Sequence, residues 1–305
     1  MINQLKTVLL LGVLSALVVG IGGALAPGSL VVWVGLALAM NVGAYFFSDT
    51  LVLRMNRARP LSREEAPGIH AMTGELASRA GIPVPRLFVI DDPSPNAFAT
   101  GRNPARGVVA VTTGIVHHLS ARELRGVIAH EIAHIRNRDI LVSTIAAALA
   151  AVVTSVAHVL QFTALFGGSQ DDEEGGSPAG SLAMALVAPI AATLVQLAIS
   201  RSREYLADET GARVSGDPSA LASALESLAH GAERVPAAVQ PATASLFIVN
   251  PFAGAGALMK LFSTHPPMEE RVRRLRAMAR DGQFAAGPGE ASTAFATHRP
   301  VRSSS

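Results

Sequence analysis

The 305-residue sequence contains no cysteine. That excludes a disulfide framework and any thiolate metal site, so a metal here has only His, Asp and Glu to hold it. Charge is scarce too. Only 16% of residues are charged, the formal net charge is +2, and no basic stripe is interleaved with aromatics, which excludes nucleic acid as a partner. What the chain has instead is grease: half of its residues are hydrophobic, which points to a membrane.

Four uncharged apolar runs, residues 8–26, 29–47, 140–170 and 179–200, each reach the roughly 18–20 residues a helix needs to cross about 30 Å of hydrocarbon. The first two are separated only by PG at 27–28 and predict a tight hairpin. A cleaved signal peptide is the competing view of the first run, with Lys6 as its positive end. Pro27 directly after the ALA cleavage motif argues against it, as does the second run that begins at once. The last two runs are richer in Ala and Ser, and a buried hairpin in a soluble core is their alternative. Arg54, Arg57, Arg59 and Arg63 follow the second run and Arg201 and Arg203 follow the fourth, while the loop at 167–178 has acids and no base. Positive flanks stay inside, so both termini and both polar segments are expected in the cytoplasm. The expected organisation is a membrane hairpin (1–48), a cytoplasmic part (49–139), a second hairpin (140–200), a second cytoplasmic part (201–280) and a disordered tail (281–305).

In the first polar part, EEAPGIHAMTGELASRAG reads as a helix closing on Gly81. PRLFVID and GVVAVTTG read as strands, with NAFAT a weaker third. Ser120 and Glu123 then form a capping box that starts the next helix, which carries HEIAH and runs without a break into the third apolar run. Four residues apart, His130 and His134 project from one helical face, a spacing that suits two ligands of a tetrahedral metal. Zinc held by two His and a third ligand lowers the pKa of water from about 15.7 toward about 7. Glu131 is then the carboxylate that takes the proton during attack on a carbonyl. The bland alternative, a polar surface pair, is weakened by the apolar neighbours Val127, Ile128, Ile132 and Ala133. Downstream, Glu204 and Asp208 share a helical face at the cytoplasmic end of the fourth run. Glu204 can be the third ligand and Asp208 can orient a ligand histidine; a solvated charged face is the alternative.

HEIAH with RNRD, then an apolar hairpin, SREYLAD and STHPPMEERVRRL, preceded by PNAFATGRNP and VAVTTGIV, resembles the HtpX family of membrane-bound zinc metallopeptidases, relatives of the CAAX prenyl endopeptidases. The resemblance implies one zinc per subunit on His130, His134 and Glu204 with Glu131 as general base. It also implies a plasma-membrane protein with a cytoplasmic site, acting as an endopeptidase on misfolded or damaged membrane proteins. His265 becomes the candidate for stabilising the oxyanion, with capping of the following helix as its alternative, and Arg271 a partner for an acid such as Asp208. Asn96, Ala97, Phe98, Ala99 and Thr100 become a candidate edge strand that pairs with extended substrate; an ordinary edge protected by Arg102 is the alternative. The expected fold class is α+β, a mainly helical membrane-anchored zincin with a small sheet and four transmembrane helices. A prenyl-protein endopeptidase and a catalytically silent membrane scaffold are the competing functions. A channel is disfavoured, since only the third run carries an ionisable residue, His158.

Overall fold

The fold was examined in a computed structural model, which describes residues 2–25, 27–150, 201–234, 241–249 and 266–281. Its helices are α1 (Ile2–Leu25), α2 (Leu30–Met55), α3 (Pro67–Ala80), α4 (Thr113–His118), α5 (Ala121–Arg136), α6 (Ile140–Ala150), α7 (Arg201–Ser215), α8 (Pro218–Arg234) and α9 (Met268–Arg280). Their ends follow local chemistry. The Ser120 side chain accepts from the Glu123 amide and the Glu123 carboxylate accepts from the Ser120 amide, so the capping box opens α5. Gly81, at φ 69°, closes α3 in the left-handed conformation that a side chain resists. Asp217 accepts from the Ala220 amide and caps α8, with Pro218 at its first position.

α5 does not run unbroken into the apolar segment. The chain turns at Asn137–Asp139, with Arg138 at φ 57°, and restarts as α6, so the expected continuous helix is two helices joined by a kink. That kink folds Asp139 back over the last turn of α5, its amide donating to the His134 carbonyl at 3.3 Å.

Four strands, β1 (Arg59–Pro60), β2 (Arg86–Ile90), β3 (Ala97–Thr100) and β4 (Val108–Thr112), form one sheet in the order β1-β2-β4-β3. β2 and β4 are parallel and the two outer pairings antiparallel, which leaves β3 on an edge. β1, two residues ending in proline, has no pattern a sequence could announce. The two faces of the sheet go to different cores. Leu87, Val89, Ala97, Ala99, Val109 and Val111 join the main core with α3, α5, α7, α8 and α9. Ile90, Phe98, Val108 and Ala110 join a second core with Val52 and Leu53 at the end of α2 and with Phe247. The two polar segments therefore share one core, and the sheet couples it to the membrane helix.

Among the described residues α2 is the one helix long and apolar enough to cross a membrane. α1 holds a shorter apolar stretch, Leu5–Gly20. The third run is described only to Ala150, and the fourth, the acidic loop, His158, His265 and the tail beyond 281 lie outside the described residues. The structure thus supports a mainly helical α+β fold with a four-stranded sheet and one clear span, where the sequence led us to expect four.

Candidate metal centre

α5 and α7 cross closely because Gly211 stands where they meet: a Cβ there would lie 2.9 Å from His130 N and Cα. That crossing brings the first turn of α7 beside HEIAH. His130, His134 and Glu204 each offer one ligand atom, and these atoms all lie within 4.8 Å of one another. His134 Nε2 is 3.6 Å from Glu204 Oε1 and His130 Nε2 is 3.8 Å from Glu204 Oε2.

The histidines are primed to ligate. His134 Nδ1 lies 3.1 Å from Asp139 Oδ2. His130 Nδ1 lies 2.9 Å from Asp208 Oδ1, close but off the ideal hydrogen-bond angle. A carboxylate only accepts, so each Nδ1 carries a proton and each Nε2 is the nitrogen left to ligate. The two Nε2 atoms stand 3.1 Å apart. Two nitrogens each about 2.05 Å from a tetrahedral zinc stand about 3.3 Å apart. The donor set, two imidazoles and a carboxylate without thiolate, fits zinc. Among the described residues it is the one such cluster of His, Asp and Glu; His117, His118 and His230 are exposed and His70 sits on the Leu61 carbonyl.

Around this trio the charges are buried and paired. Arg271 is fully buried and grips Asp208 with two bonds of 2.8 and 2.7 Å, the partnership expected from sequence. Its Nη1 donates to the Ile248 carbonyl at 3.1 Å and lies 3.8 Å from Glu204 Oε2, and its Nη2 is 3.4 Å from His130 Nε2. Burial alone would raise the Asp208 carboxyl, but Arg271 and His130 outweigh it and hold it below its ordinary value. Burial lowers His130, favouring the neutral imidazole. Burial also opposes a charge on His134, yet Asp139, Glu204 and Glu131 together push it up to about 10, so a cation on its Nε2 competes with a proton. Glu131 is 1% exposed; burial pushes its carboxyl up to about 8 against the pull of His134 and Arg271 and a hydrogen bond from the Ala99 amide.

The β3 residues fall into two groups. Phe98 and Thr100 turn inward, Phe98 edge-on to Phe247 with centroids 5.0 Å apart and the Thr100 hydroxyl 2.9 Å from that of Thr144. The Ala97 and Ala99 side chains face the main core, the main chain of Asn96 is bonded to Thr112, and part of the free edge is already taken. The Ile248 amide donates to the Ala97 carbonyl at 3.0 Å, and Asn96 Nδ2 donates to the Val249 carbonyl at 2.8 Å. Among the described residues, the Ala99 end, beside Glu131, continues beyond this strap. Arg102 stacks over Phe46 of α2 instead of guarding the edge.

Sequence reasoning missed Asp139. An acid five positions after the second histidine was the available signal, but its role depends on the turn that carries it back. It also missed the cover that residues 248 and 249 place on β3.

A family model for Peptidase family M48 matches residues 63–279. A protease HtpX homolog of Pelotomaculum thermopropionicum is 53% identical over 281 residues, covering 91% of this chain and 99% of its own. One from Syntrophobacter fumaroxidans is 54% identical over 282 residues, covering 90% and 99%. Among solved structures, the crystal structure of S. mikatae Ste24p aligns at 21% identity over 90% of this chain and 65% of that one, with a TM-score of 0.48.

Proposed function

Since the chain belongs to peptidase family M48 as an HtpX-type membrane zinc metallopeptidase, we propose that it cuts misfolded or damaged membrane proteins at the cytoplasmic face of the plasma membrane. One observation carries the chemistry: His130, His134 and Glu204 converge beside a carboxyl, Glu131, that has been taken out of water. Zinc held by those three side chains would supply a Lewis acid that acidifies water and polarises a carbonyl.

The chain's own residues do the remaining work. Glu131, its proton affinity raised by burial, is poised to take a proton from the attacking water and return it to the departing amine. The Ala99 amide holds the Glu131 carboxylate toward the site. Arg271 fixes Asp208, which keeps the proton of His130 on Nδ1. An extended substrate adds to the β3 edge past the stretch covered by Ile248, through main-chain bonds that impose little sequence preference and leave the Ala99 amide on Glu131. His265, in the stretch leading into α9, takes the oxyanion role that the resemblance implies.

The membrane part of the proposal extends the one clear span to four, with boundaries at 48, 139, 200 and 280 and the arginine-rich flanks inside. The hydrophobic flank explains the location of the site: a hydrolytic centre at the bilayer surface meets membrane proteins where they emerge.

Glu131→Gln tests the chemistry. The purified variant should keep one zinc per chain and lose about 10²- to 10⁴-fold in cleavage of an unfolded, casein-like substrate. Cleavage at the original rate would overturn the assignment.

A further inference from the structure

Each zinc histidine is backed by an aspartate, yet the two aspartates are held differently. Asp208 receives two short bonds from Arg271. Asp139 uses Oδ2 on His134 Nδ1, while its Oδ1 is buried with no hydrogen-bond partner. Its side chain is 4% exposed, so water does not readily relieve that oxygen.

A matching donor stands nearby. Arg203 immediately precedes Glu204 on α7, and both of its terminal nitrogens are buried without a partner among the described residues. Burial disfavours its charge, and the carboxylate that does most to restore it is Asp139, followed by Glu204. A carboxylate oxygen and two guanidinium nitrogens, each buried and unpartnered among the described residues and within electrostatic reach of one another, are complementary halves of the arrangement already complete at His130. The kink at Asn137–Asp139 gives this a structural cause, for the left-handed Arg138 is what delivers Asp139 to His134.

We propose that Arg203 is a positioning residue of the metal centre: its guanidinium closes on Asp139 Oδ1 and fixes the carboxylate that orients His134, as Arg271 fixes Asp208 behind His130. Arg203 touches neither substrate nor metal. It acts through Asp139 on the aim of the His134 Nε2 lone pair, so its loss shows in how tightly zinc is held.

The inference rests on the zinc site, and the test separates the two. Full-length protein in detergent is stripped of metal, and its zinc affinity is measured by competition with a chromogenic chelator. Removing a partner behind a ligand costs about 10- to 100-fold in metal affinity. Arg203→Gln and Asp139→Asn should each weaken zinc binding in that range, and Arg203→Lys should recover most of the loss. The double variant should bind zinc no worse than Asp139→Asn alone, because the two act as one unit. Arg203→Met, which keeps the packing of the stem, replaces Arg203→Gln in the cycle if that variant does not fold. Wild-type affinity in the Arg203 variant overturns the inference, as do additive losses in the double variant or lost cleavage with zinc affinity intact. A wild-type chain that holds no zinc would instead sink the metallopeptidase assignment itself.

Discussion

The membrane helix α2 turns its large apolar side chains outward, with Val31 85% and Phe47 65% exposed, while the catalytic body turns its charges inward, with His130 and Arg271 at 0%. Each arrangement would be ruinous in the other's place. Apolar surface on α2 is stable where lipid, not water, meets it. Buried charge in the body is stabilised by polar partners: Arg271 on Asp208, Asp208 on His130, Asp139 on His134. The sheet mediates between the two, one face in the catalytic core and the other against the end of α2. The contrast teaches that the greasy half of the molecule anchors and the polar interior does the chemistry, with the sheet fixing their distance.

The contrast can be broken from the catalytic side by Arg271→Ala, the largest effect expected. It strands Asp208 as a buried, uncompensated charge and should cost about 3–5 kcal/mol, read as a lower midpoint in denaturant unfolding. A loss within experimental scatter would mean that water reaches the pair. From the membrane side, Leu38→Arg puts a cation on the lipid face midway along the second apolar run and should cost about 2.5–3.5 kcal/mol of insertion. It would appear as chain released from membranes by carbonate washing. Integration equal to wild type would show that α2 packs against protein instead of lipid.

The smallest effect sharpens the comparison at the surface. Arg122 and Asp217 form a bidentate pair of 2.6 and 2.9 Å, but Arg122 is largely exposed. Arg122→Ala should cost no more than about 1 kcal/mol. Partial burial alone would raise the Asp217 carboxyl, and Arg122 with the cap amides pulls it lower than 3.8. A depressed folded pKa stabilises above the unfolded value, so the pair's contribution is present at neutral pH and is lost as pH falls below about 4. Unfolding midpoints of wild type and Arg122→Ala should therefore converge in acid; a gap that persists there would assign the difference to packing.

Much of this was legible because it is local. The Ser120 box and the Gly81 stop are encoded within a few residues of where they act, and the HEIAH spacing follows from one helical turn. Glu204 and Asp208 were legible through a repeated four-residue spacing on a second helix. What escaped depends on chain reversal or on long-range contact. Asp139 reaches His134 only through the left-handed Arg138, and Ile248 covers Ala97 from about 150 positions away in sequence. β1 pairs because β2 offers it an edge, not because Arg59–Pro60 favours a strand.

The most direct measurement of the central claim is the zinc affinity of Glu204→Ala beside wild type, each purified without chelator and titrated after metal removal. Wild type should bind one zinc per chain, and the variant, left with two imidazoles, should bind it at least about 100-fold more weakly. Equal, tight, stoichiometric binding by both would contradict the convergence of α5 and α7 on a single metal.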